Sequence, residues 1–400
     1  MLEWLREHPG SDPFLIIGEH TWTYAETVSE VESRLVDEMV LVRPQLDAGS
    51  VFALMAGISG SGVVVLPPDP STKYQVPSTD QVSGADLVAF TSGTTGAPKG
   101  VRLTAANLEA ASRASVEHPG HGRSDCWLLA MPLHHVGGIS ILVRSAYAGG
   151  SVHLLPSFDP LSVAMAIRGG VTMLSVVPTM LSRLLDHDPG PYPNLRAVLV
   201  GGGPIPAGLL EMAAGMPVLP TYGMTETFGQ VATLRPGSSV ERKAHPLPGV
   251  ELEIRPDGRI AVAGDQVSPG YLGEPDRADR WLVTNDLGSI DPDGALRVLG
   301  RADSVIVSGG ENISPERVES ELHGHPTVGD VVVFGVPDEE WGSLLCCLYT
   351  GSAGVDEMVV WLKDRLPSHM VPKLWKRVDS IPLIGPGKPD RNRAAGLIGG

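Results

Sequence analysis

Residues 91–100 read TSGTTGAPKG and say more about the fold of this 400-residue chain than any other stretch. They contain three glycines, four hydroxyl side chains and one lysine. The short apolar run at residues 85–90 is typical of a buried strand, and Thr104 is a good N-cap for the alanine-rich helix pattern after it. A strand, a Gly/Ser/Thr loop and a helix in this order place N–H groups and hydroxyls around phosphate oxygens. We therefore expect a phosphate-binding loop in an α/β fold.

The loop differs from a Walker A loop, which ends in Gly-Lys-Ser/Thr, because Pro98 precedes Lys99 and Gly100 follows it. A flexible Gly/Ser turn without a ligand is the alternative interpretation. The strong bias of the ten residues and their regular flanks favour phosphate binding, with positive charge from the lysine. The candidate ligands are Thr91, Ser92, Gly93, Thr94, Thr95 and Lys99.

Bulk composition narrows the class of protein. Four hundred residues, 42% of them apolar and 19% charged, indicate a globular chain with more than one domain. A net charge of −16 argues against a nucleic-acid surface and requires local positive groups at any site for an anion. Three cysteines, two of them adjacent, make a poor disulfide framework and favour a reducing cytoplasm. No run of residues is long and apolar enough for a membrane span.

Hydrophobic patterns divide the chain into regions. Strand-like and helix-like runs alternate, as in LRAVLVGGG, PAGLLEMAA and MPVLPTYG within residues 195–223, which predicts doubly wound sheets that bind ligands where strands end. Residues 250–264 and 287–301 each alternate about an Asp-Gly turn and predict β-hairpins, hence a β-rich subdomain. The pattern of the sequence after Arg301 is typical of a small α+β unit. We expect a large N-terminal domain at residues 1–301 and a small, mobile C-terminal domain at residues 302–400.

These motifs together resemble the adenylate-forming superfamily of acyl-CoA synthetases, luciferases and peptide-synthetase adenylation domains. The resemblance covers about residues 20 to 395. It rests on residues 91–100, on TYGMTET at 221–227, on GRADSVIVSGGENISPERVE at 300–319 and on GPGKPDR at 385–391. Within the superfamily, HHVGGISILVRS at 134–145 and the GGGPIP and TYGMTETFGQVATLRP segments look most like the o-succinylbenzoate–CoA ligases of menaquinone biosynthesis.

The resemblance implies a nucleotide site. Thr225 would contact the α-phosphate, and Glu226 would serve catalysis and help to hold Mg²⁺, an ion that accepts one or two carboxylates plus phosphate oxygens. Tyr222, Gly202 and Gly203 would line the adenine. Taken alone, the glutamate reads equally well as a solvated loop residue, and the glycines as a plain strand-to-helix turn.

Ribose recognition and the hinge follow from the next motifs. Asp286 would accept hydrogen bonds from the two ribose hydroxyls, and Arg301 would be the second ribose contact, with a surface salt bridge as its alternative role. Asn285 replaces the family's glycine, and asparagine tolerates a positive φ if the turn needs one. Asp303 occupies the hinge position.

The resemblance also assigns the C-terminal sites. Gly309 and Gly310 would lie along the path of the coenzyme A arm, although an ordinary β-turn is the alternative. Lys388, in a Gly/Pro-rich segment, would bridge the substrate carboxylate and the α-phosphate and stabilise the charge of the transition state. A lysine that merely adds solubility is the alternative for Lys388.

The acyl pocket is the least constrained site. His135 would gate it and Gly223 would line it. No aspartate follows Met131 before Asp159, which argues against an amino-acid substrate. Arg144 interrupts an apolar run and needs a partner if it is buried, either a substrate carboxylate or a structural acid.

We therefore expect a ligase that uses ATP, Mg²⁺ and coenzyme A to convert a carboxylic acid first into an acyl-AMP and then into a thioester. A ligase for another aryl or medium-chain acid is the first alternative. A non-catalytic nucleotide-binding regulator is the second, and it is disfavoured because Glu226, Asp286, Arg301 and Lys388 are all present. Expected partners are small molecules, without nucleic acid or a membrane span, and a homodimer stays open.

Overall fold

The computed structural model describes residues 1–67, 76–91, 98–236, 243–384 and 388–398. The chain up to residue 224 alternates strands with helices, as the hydrophobic pattern predicts. Its elements in chain order are α1 (Leu2–Glu7), β1 (Pro13–Ile17), β2 (His20–Thr23), α2 (Tyr24–Glu32), β3 (Val40–Leu41), α3 (Ala48–Ser59), β4 (Val64–Leu66), β5 (Leu87–Thr91), β6 (Lys99–Leu103), α4 (Ala105–Glu117), β7 (Cys126–Leu129), α5 (Val136–Ala148), β8 (Ser151–Leu154), α6 (Pro160–Arg168), β9 (Met173–Val176), α7 (Pro178–His187), β10 (Ala197–Val200), α8 (Ala207–Met212) and β11 (Val218–Met224).

The remaining elements are mostly strands at first and mixed afterwards. They are β12 (Gly229–Leu234), β13 (Ala244–Pro246), β14 (Glu251–Ile254), β15 (Arg259–Ala263), β16 (Gly270–Tyr271), β17 (Leu282–Ile290), β18 (Leu296–Arg301), β19 (Ile306–Ser308), β20 (Glu311–Ile313), α9 (Pro315–His323), β21 (Val328–Asp338), β22 (Gly342–Gly351), α10 (Val355–Lys363), β23 (Leu374–Arg377), β24 (Leu383–Ile384), β25 (Lys388–Pro389) and α11 (Arg391–Ile398).

The larger sheet joins the α/β region to the β-rich region. Its 13 strands run in the order β14-β15-β17-β18-β13-β12-β11-β10-β9-β7-β8-β1-β2. Strands β1, β8, β7, β9, β10 and β11 are parallel, and the strands from β11 through β12 onward pair antiparallel. The fully buried strands of the parallel part are short apolar runs, as sheets covered on both faces require. The expected α/β class with a β-rich subdomain is confirmed.

The second sheet, ordered β16-β6-β5-β4-β3, carries the two flanks of the Gly/Ser/Thr loop. Strands β5 and β6 form an antiparallel hairpin in which Thr91 pairs with Lys99. The expected order of strand, loop and helix is therefore wrong, because a second strand intervenes. Thr104 does cap α4, and its Oγ1 accepts a hydrogen bond from the Asn107 N–H at 3.2 Å. The helix thus begins after β6, so its N-terminal N–H groups do not follow the loop directly.

The β-rich region contains both predicted hairpins. Strands β14 and β15 pair about Asp257 and Gly258, and β17 and β18 pair about Asp293 and Gly294. The expectation of a turn at Asn285 is wrong: this residue lies inside β17, and Phe228 is the single non-glycine residue with a positive φ among the described residues. Asparagine therefore fits at position 285 because extended backbone demands no glycine.

The C-terminal region follows a 3₁₀ turn at Ala302–Ser304. It packs α9 and α10 against the sheet β21-β22-β23 around one hydrophobic core that contains Cys347, and a second core that includes Ala394 of α11 contains Cys346. Both cysteines are buried free thiols. None of the helices in the described parts of the chain is long and apolar enough to cross a membrane. The domain boundary at residue 301 remains a prediction.

Candidate active site

The candidate site lies where β10 and β11, in the middle of the larger sheet, end. Strand β10 ends at Val200, and Gly201, Gly202 and Gly203 follow it beside β11. A Cβ on Gly201 would lie 2.9 Å from the Thr221 carbonyl oxygen, so a glycine is required there for close strand packing. Gly202 has a φ of +81°, and a Cβ on Gly203 would meet open space. The glycine turn therefore presents bare, exposed backbone at this edge.

Tyr222 lies inside β11 and begins a chain of polar contacts across three strands. Its hydroxyl donates to Asp286 Oδ2 at 2.7 Å. Arg301 lies opposite Asp286 in the β17–β18 register and donates from Nη1 to Asp286 Oδ1 at 3.2 Å. Burial and the neighbouring Asp286 carboxylate raise the pKa of the Tyr222 phenol, so it stays protonated and able to donate. The three predicted nucleotide-binding side chains thus lie together.

Arg301 also reaches across the predicted hinge. Its Nε and Nη2 donate to the two carboxylate oxygens of Asp303 at 2.8 and 2.7 Å, a bidentate geometry. The hydrogen bond with Asp303 is the largest of the effects that raise the pKa of the Arg301 guanidinium. One arginine therefore joins the predicted ribose carboxylate to the predicted hinge residue.

The 3₁₀ turn at Thr225–Thr227, directly after β11, carries the predicted magnesium ligand. Buried Thr227 fastens the turn by donating from Oγ1 to the Gly229 carbonyl oxygen at 2.9 Å. Phe228 then adopts a left-handed φ of +50°, a strained conformation for a bulky buried residue. A Cβ on Gly223 would lie 1.9 Å from the Gly229 carbonyl oxygen, so a side chain there would force the two strands apart. The backbone of the turn is therefore tightly specified.

Tyr271 was missed by the sequence analysis and contacts two of the predicted site residues. Its hydroxyl donates to Glu226 Oε1 at 2.8 Å, and the ammonium nitrogen of Lys99 lies 5.4 Å from the centre of its ring. Burial and Glu226 raise the pKa of the Tyr271 phenol, which keeps it a donor. Strand β16 brings the tyrosine there by pairing with β6, the strand that contains Lys99.

The donor set suits Mg²⁺ only in part. Among the described residues no group of three or more His, Cys, Asp or Glu side chains could hold a metal ion. Glu226 is a single carboxylate with one oxygen engaged by Tyr271. Mg²⁺ commonly takes one or two carboxylates and completes its shell with phosphate oxygens and water. The arrangement therefore fits a magnesium ion that arrives with a nucleotide and does not fit a dedicated protein cage.

Arg144 is buried in the middle of α5, 5% exposed, with neutral hydrogen-bond partners. Its Nη1 donates to Ser115 Oγ at 3.2 Å and to Gln230 Oε1 at 3.3 Å, and Ser140 accepts from Nε and Nη2. The guanidinium carbon lies 4.7 Å from the centre of the Trp127 ring. Burial lowers the pKa of Arg144 to about 9, so the group is still charged at neutral pH.

A hydrogen-bond partner of Arg144 connects it to the predicted acyl pocket. Gln230, its partner on β12, pairs directly with Gly223 of β11. A structural acid, one of the two expected partners, is not among the acceptors that the described residues provide to this guanidinium. A buried cation without an ionised partner is costly, so an anion that reaches it gains affinity.

The structure describes three further groups of predicted site residues to different extents. His135 is an exposed residue at the N-cap position of α5, and its ring lies 4.3 Å from that of His134. Ser92, Gly93, Thr94 and Thr95 lie outside the described residues. The backbone of Lys388 pairs with Ile384 in the β24–β25 ladder.

The two glycines of the predicted coenzyme A path lie between β19 and β20. Gly309 has a φ of +60° and packs against Trp341, whose ring a Cβ would approach to 2.9 Å. Gly310 has a φ of +83°, and a Cβ there would meet no atom within 4 Å. The Gly309 N–H donates to the Trp341 carbonyl oxygen at 2.9 Å. The turn thus has an aromatic floor and an open side.

Comparison with known protein families identifies both regions. A family model described as AMP-binding enzyme matches residues 37–272, and one described as AMP-binding enzyme C-terminal domain matches residues 317–388. The 2-succinylbenzoate–CoA ligase of Geobacillus sp. (strain WCH70) is 38% identical over 337 residues, which cover 78% of this chain and 68% of the relative. The ligase of the same name from Listeria monocytogenes serotype 4b (strain F2365) is 37% identical over 339 residues, covering 80% and 73%.

Solved structures agree with the sequence relatives. The o-succinylbenzoate CoA synthetase of Bacillus subtilis, in complex with the acyl-adenylate intermediate OSB-AMP, superposes with a TM-score of 0.86 at 30% identity, covering 98% of this chain and 97% of that one. The same enzyme in complex with ATP and magnesium ion superposes with a TM-score of 0.86 at 30% identity, covering 98% of this chain and 98% of that one. ATP-bound MatB from Rhodopseudomonas palustris shares the fold, with a TM-score of 0.86 at 23% identity, covering 99% and 98%.

Proposed function

This chain belongs to the AMP-binding enzyme family, and from that premise we propose that it is an ATP-dependent acid–CoA ligase whose acid is o-succinylbenzoate. The relatives named 2-succinylbenzoate–CoA ligase and the Bacillus subtilis complexes support the proposal. One observation carries it: β11 and the turn after it contain both Tyr222 and Glu226. Tyr222 contacts Asp286, which Arg301 contacts as well. Glu226 contacts Tyr271, whose ring lies beside the Lys99 ammonium. The groups that we assign to the sugar and to the phosphates thus start from one five-residue stretch of chain.

The first half-reaction is nucleotidyl transfer. A carboxylate oxygen of the acid attacks the α-phosphorus of ATP, an O–P bond forms, and the bond to pyrophosphate breaks. Asp286 and Arg301 would orient the ribose, Thr225 would contact the α-phosphate, and residues 91–99 would surround the leaving phosphates. When bound through Glu226, Mg²⁺ would supply positive charge to the phosphate oxygens. Positioning of the reactants and neutralisation of their charge lower the activation barrier in such transfers, so no nucleophilic side chain is required.

Lys388 would bring the two anions together in this half-reaction. Its ammonium group would bridge the carboxylate and the α-phosphate as they approach each other and stabilise the charge of the transition state. The net charge of −16 repels anionic substrates, so such local cations are needed.

The second half-reaction forms the thioester. The sulfur of coenzyme A attacks the acyl carbon of the adenylate, its thiol proton is released, and AMP leaves. We propose that the C-terminal domain, residues 302–400, turns about Asp303 between the two steps. The turn at Gly309 and Gly310 would then admit the coenzyme A arm along its open side.

Arg144 supports the choice of acid. A second carboxylate on the substrate would supply the ionised partner that Ser115, Ser140 and Gln230 do not. His135 and Gly223 would border the same pocket. A ligase for another aryl or medium-chain acid is the second candidate, since the nucleotide site would be the same.

A panel of acids tests the proposal. The purified protein is incubated with ATP, Mg²⁺, coenzyme A and o-succinylbenzoate, benzoate, malonate or octanoate, and AMP formation is followed. We expect the highest kcat/KM with o-succinylbenzoate and no AMP without an acid. A preference for benzoate or octanoate would reject the acid but leave the ligase chemistry in place.

Lys388→Ala separates the half-reactions. We expect it to abolish acyl-AMP formation on the timescale of wild-type turnover, with only a slow residual rate left, while thioester formation from supplied acyl-AMP persists, because a lysine that bridges two anions has no such task in the second step. Equal losses in both steps would reject this division of labour. A cytoplasmic location, supported by the free thiols, and a homodimer remain predictions for fractionation and sedimentation.

A further inference from the structure

Arg391 begins α11, three residues after Lys388, and ties this end of the chain to α9. Its Nη2 lies 2.9 Å from both carboxylate oxygens of Glu319, and its Nε donates to the Val333 carbonyl oxygen at 3.0 Å. Glu319 is buried, 5% exposed, and accepts a further hydrogen bond at 2.8 Å from the Val333 N–H. The buried carboxylate is thus met by both a charged and a neutral donor.

Glu316, one turn earlier on α9, connects the same arginine to the hinge. Its Oε1 lies 3.2 Å from Arg391 Nη2 and accepts a hydrogen bond from the Ser304 hydroxyl at 2.8 Å. Ser304 is the residue after Asp303 in the hinge turn. The Ser314 hydroxyl, 3.0 Å from Glu316 Oε2, lies 3.1 Å from the Leu299 carbonyl oxygen of β18. The contacts therefore run from β18 and the hinge turn, through Glu316, to Arg391.

Backbone pairing also holds the described residues near Lys388. The β24–β25 ladder pairs Leu383 with Pro389, and the Asp390 N–H donates to the Pro382 carbonyl oxygen at 2.8 Å. Arg391, the residue after Asp390, supplies a charged anchor beside this ladder, in addition to the apolar packing of α11, whose buried Ala394 lies in a core with Val332 and Phe334.

Stability alone is a weak reason for this cluster. Removing two charges from water costs about as much as a buried ion pair returns, so apolar residues of similar size would stabilise the fold equally well. Several directional contacts instead specify one geometry: Glu319 accepts from Arg391 Nη2 and from the Val333 N–H, and Glu316 contacts the same Nη2. The cluster connects the hinge turn to the segment of the proposed catalytic lysine, which is where one geometry would matter.

We propose that Arg391, held by Glu316 and Glu319, is a positioning residue that fixes the Lys388 segment relative to the hinge so that Lys388 reaches the acid and the α-phosphate. The proposal rests on the ligase function above. It predicts that damage to the cluster impairs the half-reaction that uses Lys388 and spares the half-reaction that does not.

Arg391→Gln tests it, with the two half-reactions measured separately in single turnovers. We expect acyl-AMP formation to fall roughly ten- to a hundredfold, as expected when a charge-assisted contact is lost, with thioester formation from supplied acyl-AMP within twofold of wild type. Arg391→Lys keeps the charge and should recover part of the rate. Arg393→Gln, on the exposed side of the same helix, is the matched control and should change neither rate.

A double-mutant cycle distinguishes positioning from general destabilisation. If Arg391 acts through Lys388, Arg391→Gln should lower the residual adenylation rate no further in a Lys388→Ala background. An additive loss, or equal losses in the two half-reactions, would overturn the proposal. Glu316→Gln, which keeps the size of the side chain, should repeat the selective loss if the connection to the hinge matters.

A readout without turnover separates this proposal from the function it rests on. The rate at which an amine-reactive ester labels Lys388 is followed by peptide mass spectrometry in wild type, Arg391→Gln and Arg393→Gln. We expect a changed rate in Arg391→Gln alone. If the wild type adenylates no acid, the proposed function fails while the labelling result still decides on the anchor; unchanged labelling in Arg391→Gln overturns the anchor.

Discussion

Replacing Arg144 by leucine removes the one buried cation that we assign to the substrate. The guanidinium is 5% exposed and its hydrogen-bond partners, Ser115, Ser140 and Gln230, are neutral. A hydrogen bond between charged groups contributes about 1.5–3 kcal/mol net, and about 1.4 kcal/mol corresponds to a factor of ten. We therefore expect Arg144→Leu to lower kcat/KM for o-succinylbenzoate roughly ten- to a hundredfold.

Stability should respond differently from activity. A buried charge without an ionised partner carries an uncompensated desolvation cost, and its removal relieves that cost. The Ser115 hydroxyl keeps its 2.5 Å hydrogen bond to Gln230 Oε1 after the change, although the contact with the Trp127 ring is lost. We thus expect a melting temperature within a few degrees of wild type, whereas an arginine needed mainly for folding would lower it clearly.

The assay compares two acids in each variant. AMP formation is measured with o-succinylbenzoate and with benzoate, which lacks the second carboxylate, and the ratio of the two kcat/KM values is the readout. Arg102→Leu is the control, because Arg102 is also buried but already pairs with Asp276 at 2.7 Å. Its ratio should stay at the wild-type value. An equal fall for both acids in Arg144→Leu would refute the assignment.

Three further predictions concern the nucleotide site, the coenzyme A path and acid stability. Tyr271→Phe removes the 2.8 Å hydrogen bond to Glu226, so Mg²⁺·ATP should bind roughly tenfold more weakly by calorimetry, and an unchanged affinity would remove Tyr271 from the site. Gly310→Leu should slow thioester formation more than adenylation in single turnovers, because the open side of the turn would be filled; equal losses would contradict that path. Burial lowers the pKa of His121 to about 3 from 6.5, so the unfolded chain binds a proton that the folded protein does not between these values. The free energy of unfolding should therefore fall by about 2 kcal/mol from this group between pH 7 and pH 5, and His121→Gln should flatten that slope in urea titrations; an unchanged slope would exclude His121 as its source.

Local patterns predicted most of the fold. Asp-Gly turns between alternating residues predicted both hairpins, and the Thr104 cap marked the start of α4, because these signals depend on neighbouring residues. Strand β6 was missed, since KGVRL is short and its pairing with β5 closes a hairpin across the glycine-rich loop. The antiparallel pairing of the end of β11 with β12 was not predicted either.

The sequence predicted which residues belong to the candidate site more fully than it predicted the contacts between them. Tyr222, Asp286 and Arg301 lie in contact although they are far apart in the sequence, and their roles toward a nucleotide remain predictions. Tyr271 was not foreseen, because its role comes from β16 pairing with a strand near residue 101. The neutral surroundings of Arg144 were equally hidden, since they come from α4 and β12 as well as from its own helix.

Trapping the intermediate is the most direct test that this chain is an o-succinylbenzoate–CoA ligase. The protein is incubated with ATP, Mg²⁺ and o-succinylbenzoate in the absence of coenzyme A, and the quenched mixture is analysed by mass spectrometry. We predict an enzyme-bound o-succinylbenzoyl adenylate and an equal amount of pyrophosphate, with conversion to the thioester and AMP when coenzyme A is added. Formation of ADP and phosphate, or of no adenylate while another acid gives one, would contradict the claim.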